Sequence, residues 1–121
     1  MANYKKLAVW QKSMDLVMSI YDMTENFPDF EKYGLTSQMQ RSGVSIPSNI
    51  AEGYGRESDK DCMHFLHIAR GSLFELQTQL YIAVGRGYIS SEQMEETDRQ
   101  INEIGRMLAG LIKKIKLLTE V

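Results

Sequence analysis

The sequence predicts an all-α chain, an antiparallel up-down-up-down four-helix bundle with a proline-kinked second helix. Three observations carry this reading. Apolar residues recur at steps of three and four through four long segments; strand-like alternation is absent; and glycine, proline and serine fall between the segments. With 121 residues, 43% hydrophobic and 25% charged, the chain can bury one continuous core, so a single domain over 1–121 is expected.

The first helix is expected from about Leu7 to Phe27, with Pro28 as its stop. Trp10, Met14, Val17, Tyr21 and Thr24 form one row, and Leu16, Ile20, Met23 and Phe27 a second row about 100° away. One bundle seam needs only a narrow stripe, so a helix this broadly apolar is expected to face two partners, which points to self-association. The second helix starts near Gly34-Leu35 and continues through Met39, Ile46 and Ile50 to Gly53, expected to supply a left-handed stop. Pro47 lies inside it. Its ring would meet the carbonyl of Gly43, where the backbone distorts most easily, so a kink without a break is expected.

The third helix opens at Ser58, with Asp61 at capping-box spacing. Its core row is Cys62, Leu66, Ala69, Leu73, Leu76, Leu80 and Ala83; Gly87 supplies the stop, and Tyr88 is placed to fold back on the last turn. The fourth begins at Ser90-Ser91, with Ser90 and Gln93 again at capping-box spacing. It runs to about Thr119 through Met94, Ile101, Ile104, Leu108, Leu111, Ile115 and Leu118. Short links after the second and third helices make successive helices antiparallel neighbours.

That topology sorts the charges. One pole gathers Lys5, Lys6, Lys12, Arg56, Lys60, Lys113, Lys114 and Lys116, which outnumber Glu52, Glu57, Asp59, Asp61 and Glu120. At the other, Asp22, Glu25, Asp29, Glu31, Glu92, Glu95, Glu96 and Asp98 outnumber Lys32, Arg86 and Arg99. Complementarity to helix dipoles accounts for such a gradient. The functional alternative is a pole that meets phosphates through Lys5, Lys6, Arg56, Lys60, Lys113, Lys114 and Lys116. A formal charge of −2 and a pI near 5.7 give no global attraction to nucleic acid, so any such binding must be local.

Catalytic chemistry is not expected. Asp61, His64 and His67 are three apart on one helix, a spacing that drifts around the axis. A di-iron bundle needs paired Glu-x-x-His motifs, and none occurs. No recognisable nucleophile motif is present, and Gly53-Tyr54-Gly55 lacks the further glycine and the strand of a phosphate loop. No metal or other cofactor is therefore expected. Met63, His67, Arg70, Phe74 and Tyr81 share another side of the third helix. Aromatic and basic interleaving can stack single-stranded bases, but a subunit contact is the favoured reading, because methionine and aromatic residues dominate interfaces. The lone Cys62 fits a reducing compartment and a cytoplasmic chain. Leu7-Ala8-Val9-Trp10 is too short for a signal-peptide core, and no membrane association is expected.

The stretch Tyr33-Gly-Leu-Thr-Ser-Gln-Met-Gln-Arg41, followed by Val44-Ser-Ile-Pro-Ser-Asn-Ile-Ala-Glu-Gly-Tyr-Gly-Arg56, resembles the S23-like four-helix-bundle family encoded within intervening sequences of bacterial 23S ribosomal RNA genes. The likeness extends to Val9-Trp10-Gln11-Lys12, Gly71-Ser72-Leu73 and Glu75-Leu76-Gln77-Thr78-Gln79-Leu80. One departure is Ser42 after Arg41, where the family commonly carries a second arginine. The resemblance implies a ring-like homo-oligomer, typically a pentamer, without catalytic activity. It also implies kinship with the accessory protein of diversity-generating retroelements, which binds nucleic acid beside a reverse transcriptase. Ser45, Pro47, Asn49 and Glu52 either shape the second helix for subunit docking or satisfy local hydrogen bonds. With Leu16, Ile20, Met23, Met63, Phe74 and Tyr81 they form the expected oligomer interface. The expected function is a non-enzymatic homo-oligomer acting as an accessory or adaptor associated with RNA or DNA. The alternative is a structural module that assembles with another protein and binds no nucleic acid.

Overall fold

Four α-helices carry the chain: α1 (Ala8–Thr24), α2 (Leu35–Tyr54), α3 (Asp59–Gly85) and α4 (Ser91–Thr119). Short 3-10 turns, Tyr4–Lys6 and Asp29–Glu31, precede α1 and α2 respectively. This is a computed structural model that describes residues 3–120; Met1 and Ala2, which open the N-terminal stretch, and Val121 lie outside them. No strand occurs among the described residues.

Cross-helix contacts set the arrangement. Gln40 on α2 donates to Thr24 on α1 at 3.1 Å, while nearer the middle Gly43 lies against Ile20 and Val17. Ser42 donates to Glu75 at 2.7 Å, and the Ser45 and Ser72 hydroxyls bond at 2.8 Å. Gln77 reaches Asp98 at 3.1 Å, and Lys12 pairs with Glu103 at 2.9 Å. For α1–α2 and for α2–α3, residue numbers fall along one helix as they rise along the other, so these neighbours run in opposite senses. The side chains of Leu16, Ile20, Met39, Ile46, Ile50, Leu66, Leu73, Leu76, Leu80, Ile101, Ile104 and Leu108 are fully buried between the four. Each contributes on the order of 1.5–3 kcal/mol of apolar burial.

The ends of the helices follow the local chemistry, with two corrections. Ser58 accepts from the Asp61 N–H at 3.1 Å to start α3. Ser90 and Gln93 make a full reciprocal capping box at the start of α4. Gly87 is the only described residue with a left-handed backbone, at φ +77°. The Tyr88 N–H donates to Ala83 O and the Gly87 N–H to Val84 O, both at 2.9 Å, so the carbonyls at the end of α3 are satisfied by the folded-back chain. Gly53 does not end α2. It is buried inside the helix, and a Cβ there would stand 3.1 Å from both the Cys62 carbonyl oxygen and Phe65 Cβ. Its role is close approach of α2 to α3, and α2 runs unbroken through Pro47 to Tyr54.

The first helix also ends earlier than expected, at Thr24, four residues before Pro28, and Phe27 lies outside it. Phe27 still joins the core, its ring centroid 5.2 Å from that of Tyr88. Glu31 ties this corner together, accepting from the Leu35 N–H at 3.2 Å and from the Tyr88 hydroxyl at 2.8 Å.

Candidate functional site

Two kinds of surface stand out on the bundle: a lysine-rich end and exposed apolar faces. At the lysine-rich end, Asn3 caps the first 3-10 turn by accepting from the Lys5 N–H at 3.0 Å, and Gln11 donates to the Lys5 carbonyl at 2.9 Å. Tyr4 packs edge-on against Trp10 with ring centroids 5.4 Å apart. These contacts hold Lys5 and Lys6, both exposed, at the start of α1. Lys60 is exposed in the first turn of α3, and Lys113, Lys114 and Lys116 are exposed around the buried Ile112 and Ile115 of α4.

The α3–α4 register places these lysines at one end. Leu73 packs where Gly105 has no side chain, at 3.5 Å from the missing Cβ. From that pair, moving toward the N-terminus of α3 as far as Lys60, and the same distance toward the C-terminus of α4, reaches the last turn of α4. None of these lysines makes an ion pair among the described residues. Arg56 differs: its guanidinium pairs with Glu52 and lies 4.7 Å from the Phe65 ring centroid. Its charge is thus already partly met within the chain, unlike that of the lysines. Leu117 and Leu118 are exposed beside Lys116, and Leu118, expected in the core row of α4, is 64% exposed. Ile112 takes the core position one residue after the half-buried Leu111.

At the opposite end a groove of about 480 Å³ between α1 and α4 is lined by Asp22, Met23, Glu92 and Glu96, among others. Glu96 is engaged by Arg99.

The two rows of α1 take the reverse of the roles that an outward-facing Leu16 and Ile20 would require. Instead of facing another copy, both are fully buried in the chain's own core and offer nothing to a partner. The row that includes Trp10, Met14 and Val17 instead edges a hollow of about 320 Å³ between α1 and α2, whose far side is Val44, Pro47, Ser48 and Ala51. Beyond Val44 a more polar hollow is lined by Tyr21, Ser37, Gln40, Arg41 and Ser45. Sequence reasoning does not find Trp10, Met14, Val44 and Ala51 as surface residues; the signal for Trp10 and Met14 is the breadth of the apolar arc on α1, while Val44 and Ala51 lie on α2 outside its expected core row.

Pro47 is buried but borders the hollow. Ser45 and Asn49 are half-buried and satisfied inside the chain. The Asn49 side chain donates to the Ser45 carbonyl at 2.8 Å and to its hydroxyl at 2.9 Å, and Ser45 bonds Ser72. Glu52 is exposed and bound to Arg56. Met63 packs partly against the core and Met23 borders the acidic groove.

On α3, Phe74 and Tyr81 are half exposed, as are Ile68 and Ile82 on the neighbouring flank. Arg70 lies over the Phe74 ring at 5.5 Å. The Tyr81 hydroxyl donates to Asp98 at 3.0 Å, and this bond to a carboxylate, with the carboxylate's charge, raises the phenol above its ordinary pKa. His64 packs edge-on against Phe65 with centroids 5.4 Å apart, and among the described residues no group of three or more His, Cys, Asp or Glu converges to hold a metal ion. Burial, with the charge of Asp59 second, raises the Cys62 thiol. Among the described residues no helix is long and apolar enough to cross a membrane.

Residues 5–110 match the sequence model of the 23S rRNA-intervening sequence protein family. No curated protein matches the chain. Among solved structures, the chain is similar to a protein of unknown function from the S23 ribosomal protein family of Bacteroides thetaiotaomicron VPI-5482. The identity is 29%, with 88% of this chain and 99% of the other covered and a TM-score of 0.79.

Proposed function

The chain belongs to the 23S rRNA-intervening sequence protein family, and on that footing we propose that it is a non-enzymatic, self-associating helical adaptor whose lysine-rich end meets the phosphates of RNA or DNA. The observation that carries the reading is that large apolar side chains stay exposed on two sides of a bundle whose core is already complete. Phe74, Tyr81 and Ile82 remain open on α3, and Met18, Tyr21 and Val44 on the α1–α2 side. Surfaces of this kind mark association sites. A ring-like homo-oligomer, a pentamer by family likeness, would cover both sides and bring the lysines of several copies to one end.

Nucleic-acid contact rests on Lys5, Lys6, Lys60, Lys113, Lys114 and Lys116. Neutralising phosphates releases counterions, so binding should weaken steeply with salt. Titrating RNA and DNA at two salt concentrations tests this. Replacing Lys113, Lys114 and Lys116 with alanine should lower the salt slope by about two to three, at roughly 0.7–0.9 for each phosphate no longer neutralised. No binding at low salt would remove this part of the proposal. What would then stand is a protein-assembly module, a reading favoured by the net charge of −2 and the acidic opposite end. A cytoplasmic setting suits the single buried thiol, Cys62.

A further inference from the structure

Among the described residues, the two most exposed large apolar side chains lie on a link and not on the side of a helix. Phe30 and Tyr33, 75% and 89% exposed, stand between α1 and α2, at the end opposite the lysines. Neither ring is part of the core or packed against it, so the fold gains nothing from holding them in water.

The carboxylates near them are equally unasked for by the fold. Asp22 lies in the last turn of α1 and Glu25 caps it, where the carbonyl end of a helix disfavours negative charge, and no basic residue offsets them in that turn. With Asp29 and Glu92 they make no ion pair among the described residues. The cations of this end are already engaged: Arg99 by Glu96, Arg86 beside Tyr88 and Glu31, and Lys32 over the Tyr33 ring at 5.5 Å.

We infer that this end is a docking surface for an arginine-rich, extended segment of a partner protein, anchored by Phe30 and Tyr33. This goes beyond the lysine-rich end and the self-association proposed above and depends on neither. A guanidinium both stacks on an aromatic face and forks onto a carboxylate, which an ammonium does not. Lys32 shows that Tyr33 takes a cation at one face, and its exposure leaves the rest of the ring open. The groove of about 480 Å³ between α1 and α4, edged by Asp22 and Glu92, supplies the room. Asn26 lines that groove, and Phe30 and Tyr33 follow it by four and seven residues, so they stand within about 14 and 25 Å of it. An extended segment of about eight residues covers that distance. The lysine-rich end of a second copy fits less well, because it is the blunt end of a bundle and its arginine, Arg56, is held by Glu52 and Phe65.

Fluorescence anisotropy of a labelled octa-arginine peptide against the full chain tests the surface, with octalysine and octaglutamate beside it. Octa-arginine is expected to bind more tightly than octalysine, and octaglutamate not at all. Asp22→Asn with Glu25→Gln should weaken octa-arginine about fivefold, the scale of two exposed charge contacts. Phe30→Ser with Tyr33→Ser should weaken it about tenfold, the scale of two exposed cation–π contacts. Glu57→Gln with Glu120→Gln, at the lysine-rich end, should leave it unchanged. All these positions are exposed, and an unchanged helical circular-dichroism spectrum checks folding. The surface is overturned if octa-arginine does not bind, if octalysine binds equally well, if the Glu57 and Glu120 pair weakens binding as much as the Asp22 and Glu25 pair, or if the aromatic pair has no effect. If the aromatic pair instead lowers the light-scattering mass of the chain and leaves octa-arginine binding unaltered, a second copy covers this end and the inference falls.

Discussion

Gly53→Ala and Gly110→Ala are the same substitution inside two helices, and the structure gives them opposite signs. In an exposed helix interior alanine is favoured over glycine by about 1 kcal/mol. At Gly110 a Cβ would meet nothing within 4 Å, so most of that gain should appear. At Gly53 the Cβ would stand 3.1 Å from Cys62 O and 3.1 Å from Phe65 Cβ. Neither is the free end of a flexible side chain, so α2 and α3 must part by a few tenths of an ångström. Overpacking of this kind costs about 1–3 kcal/mol, which exceeds the propensity gain and leaves a net loss of about 1 kcal/mol. For a chain of 121 residues, an unfolding entropy of about 2.1 cal/mol/K per residue converts 1 kcal/mol into a Tm shift of about 4 °C. Thermal unfolding followed by circular dichroism, at one protein concentration because association raises apparent stability, should show Gly110→Ala above and Gly53→Ala below the unaltered chain. A Gly53→Ala variant stabilised as much as Gly110→Ala would refute the close-approach role of Gly53.

Gln79→Met should raise the unfolding free energy by about 1 kcal/mol, read as a higher urea midpoint at unchanged m value, because Gln79 Oε1 is buried with no hydrogen-bond partner; a loss of stability would contradict that. Ser90→Ala should cost about 1 kcal/mol by opening the capping box, with Ser90→Asp close to neutral in the same denaturation assay. Burial raises the Cys62 thiol above its ordinary 9.0, with Asp59 adding to it, and burial followed by the neighbouring Cys62 raises the Tyr54 phenol above its ordinary 10.0. The unfolded chain sheds both protons first. The stability these groups contribute is therefore complete below about pH 9 and is lost as pH rises through their folded-state values. Denaturation at stepped alkaline pH should show that decline, and Cys62→Ala should make it shallower; an unchanged slope in that variant would contradict the account.

Most of the fold is readable from local chemistry. The start of α4 at Ser90, the start of α3 at Ser58 and the turn at Gly87 are each readable because a cap or a left-handed residue acts within a few positions of itself. What escapes depends on the partner helix. The two apolar rows of α1 lie only about 100° apart, so periodicity finds both without saying that Leu16 and Ile20 face inward while Trp10 and Met14 edge a surface hollow. On α4 the same ambiguity puts Leu111 and Leu118 in the core row in place of Ile112. Gly53 reads as a stop because its real constraint, the Cys62 carbonyl on α3, is invisible from within α2.

The surface is legible in a different way. The lysines sort correctly by position in the chain, but Arg56 does not stay free, since Glu52 one turn earlier and Phe65 across the turn both engage it. Phe74 and Tyr81 are picked out by residue type on a shared helix side, and both are exposed. Ser45 and Asn49 bond within α2 and to Ser72 on α3, so their hydrogen bonds alone do not call for a second copy.

The most direct measurement is the light-scattering mass of the unaltered chain over a wide range of concentration. Apolar surface left open on two sides of a finished core predicts a defined species several times 13.9 kDa that persists on dilution. A mass that stays at 13.9 kDa even at the highest concentration would contradict the account.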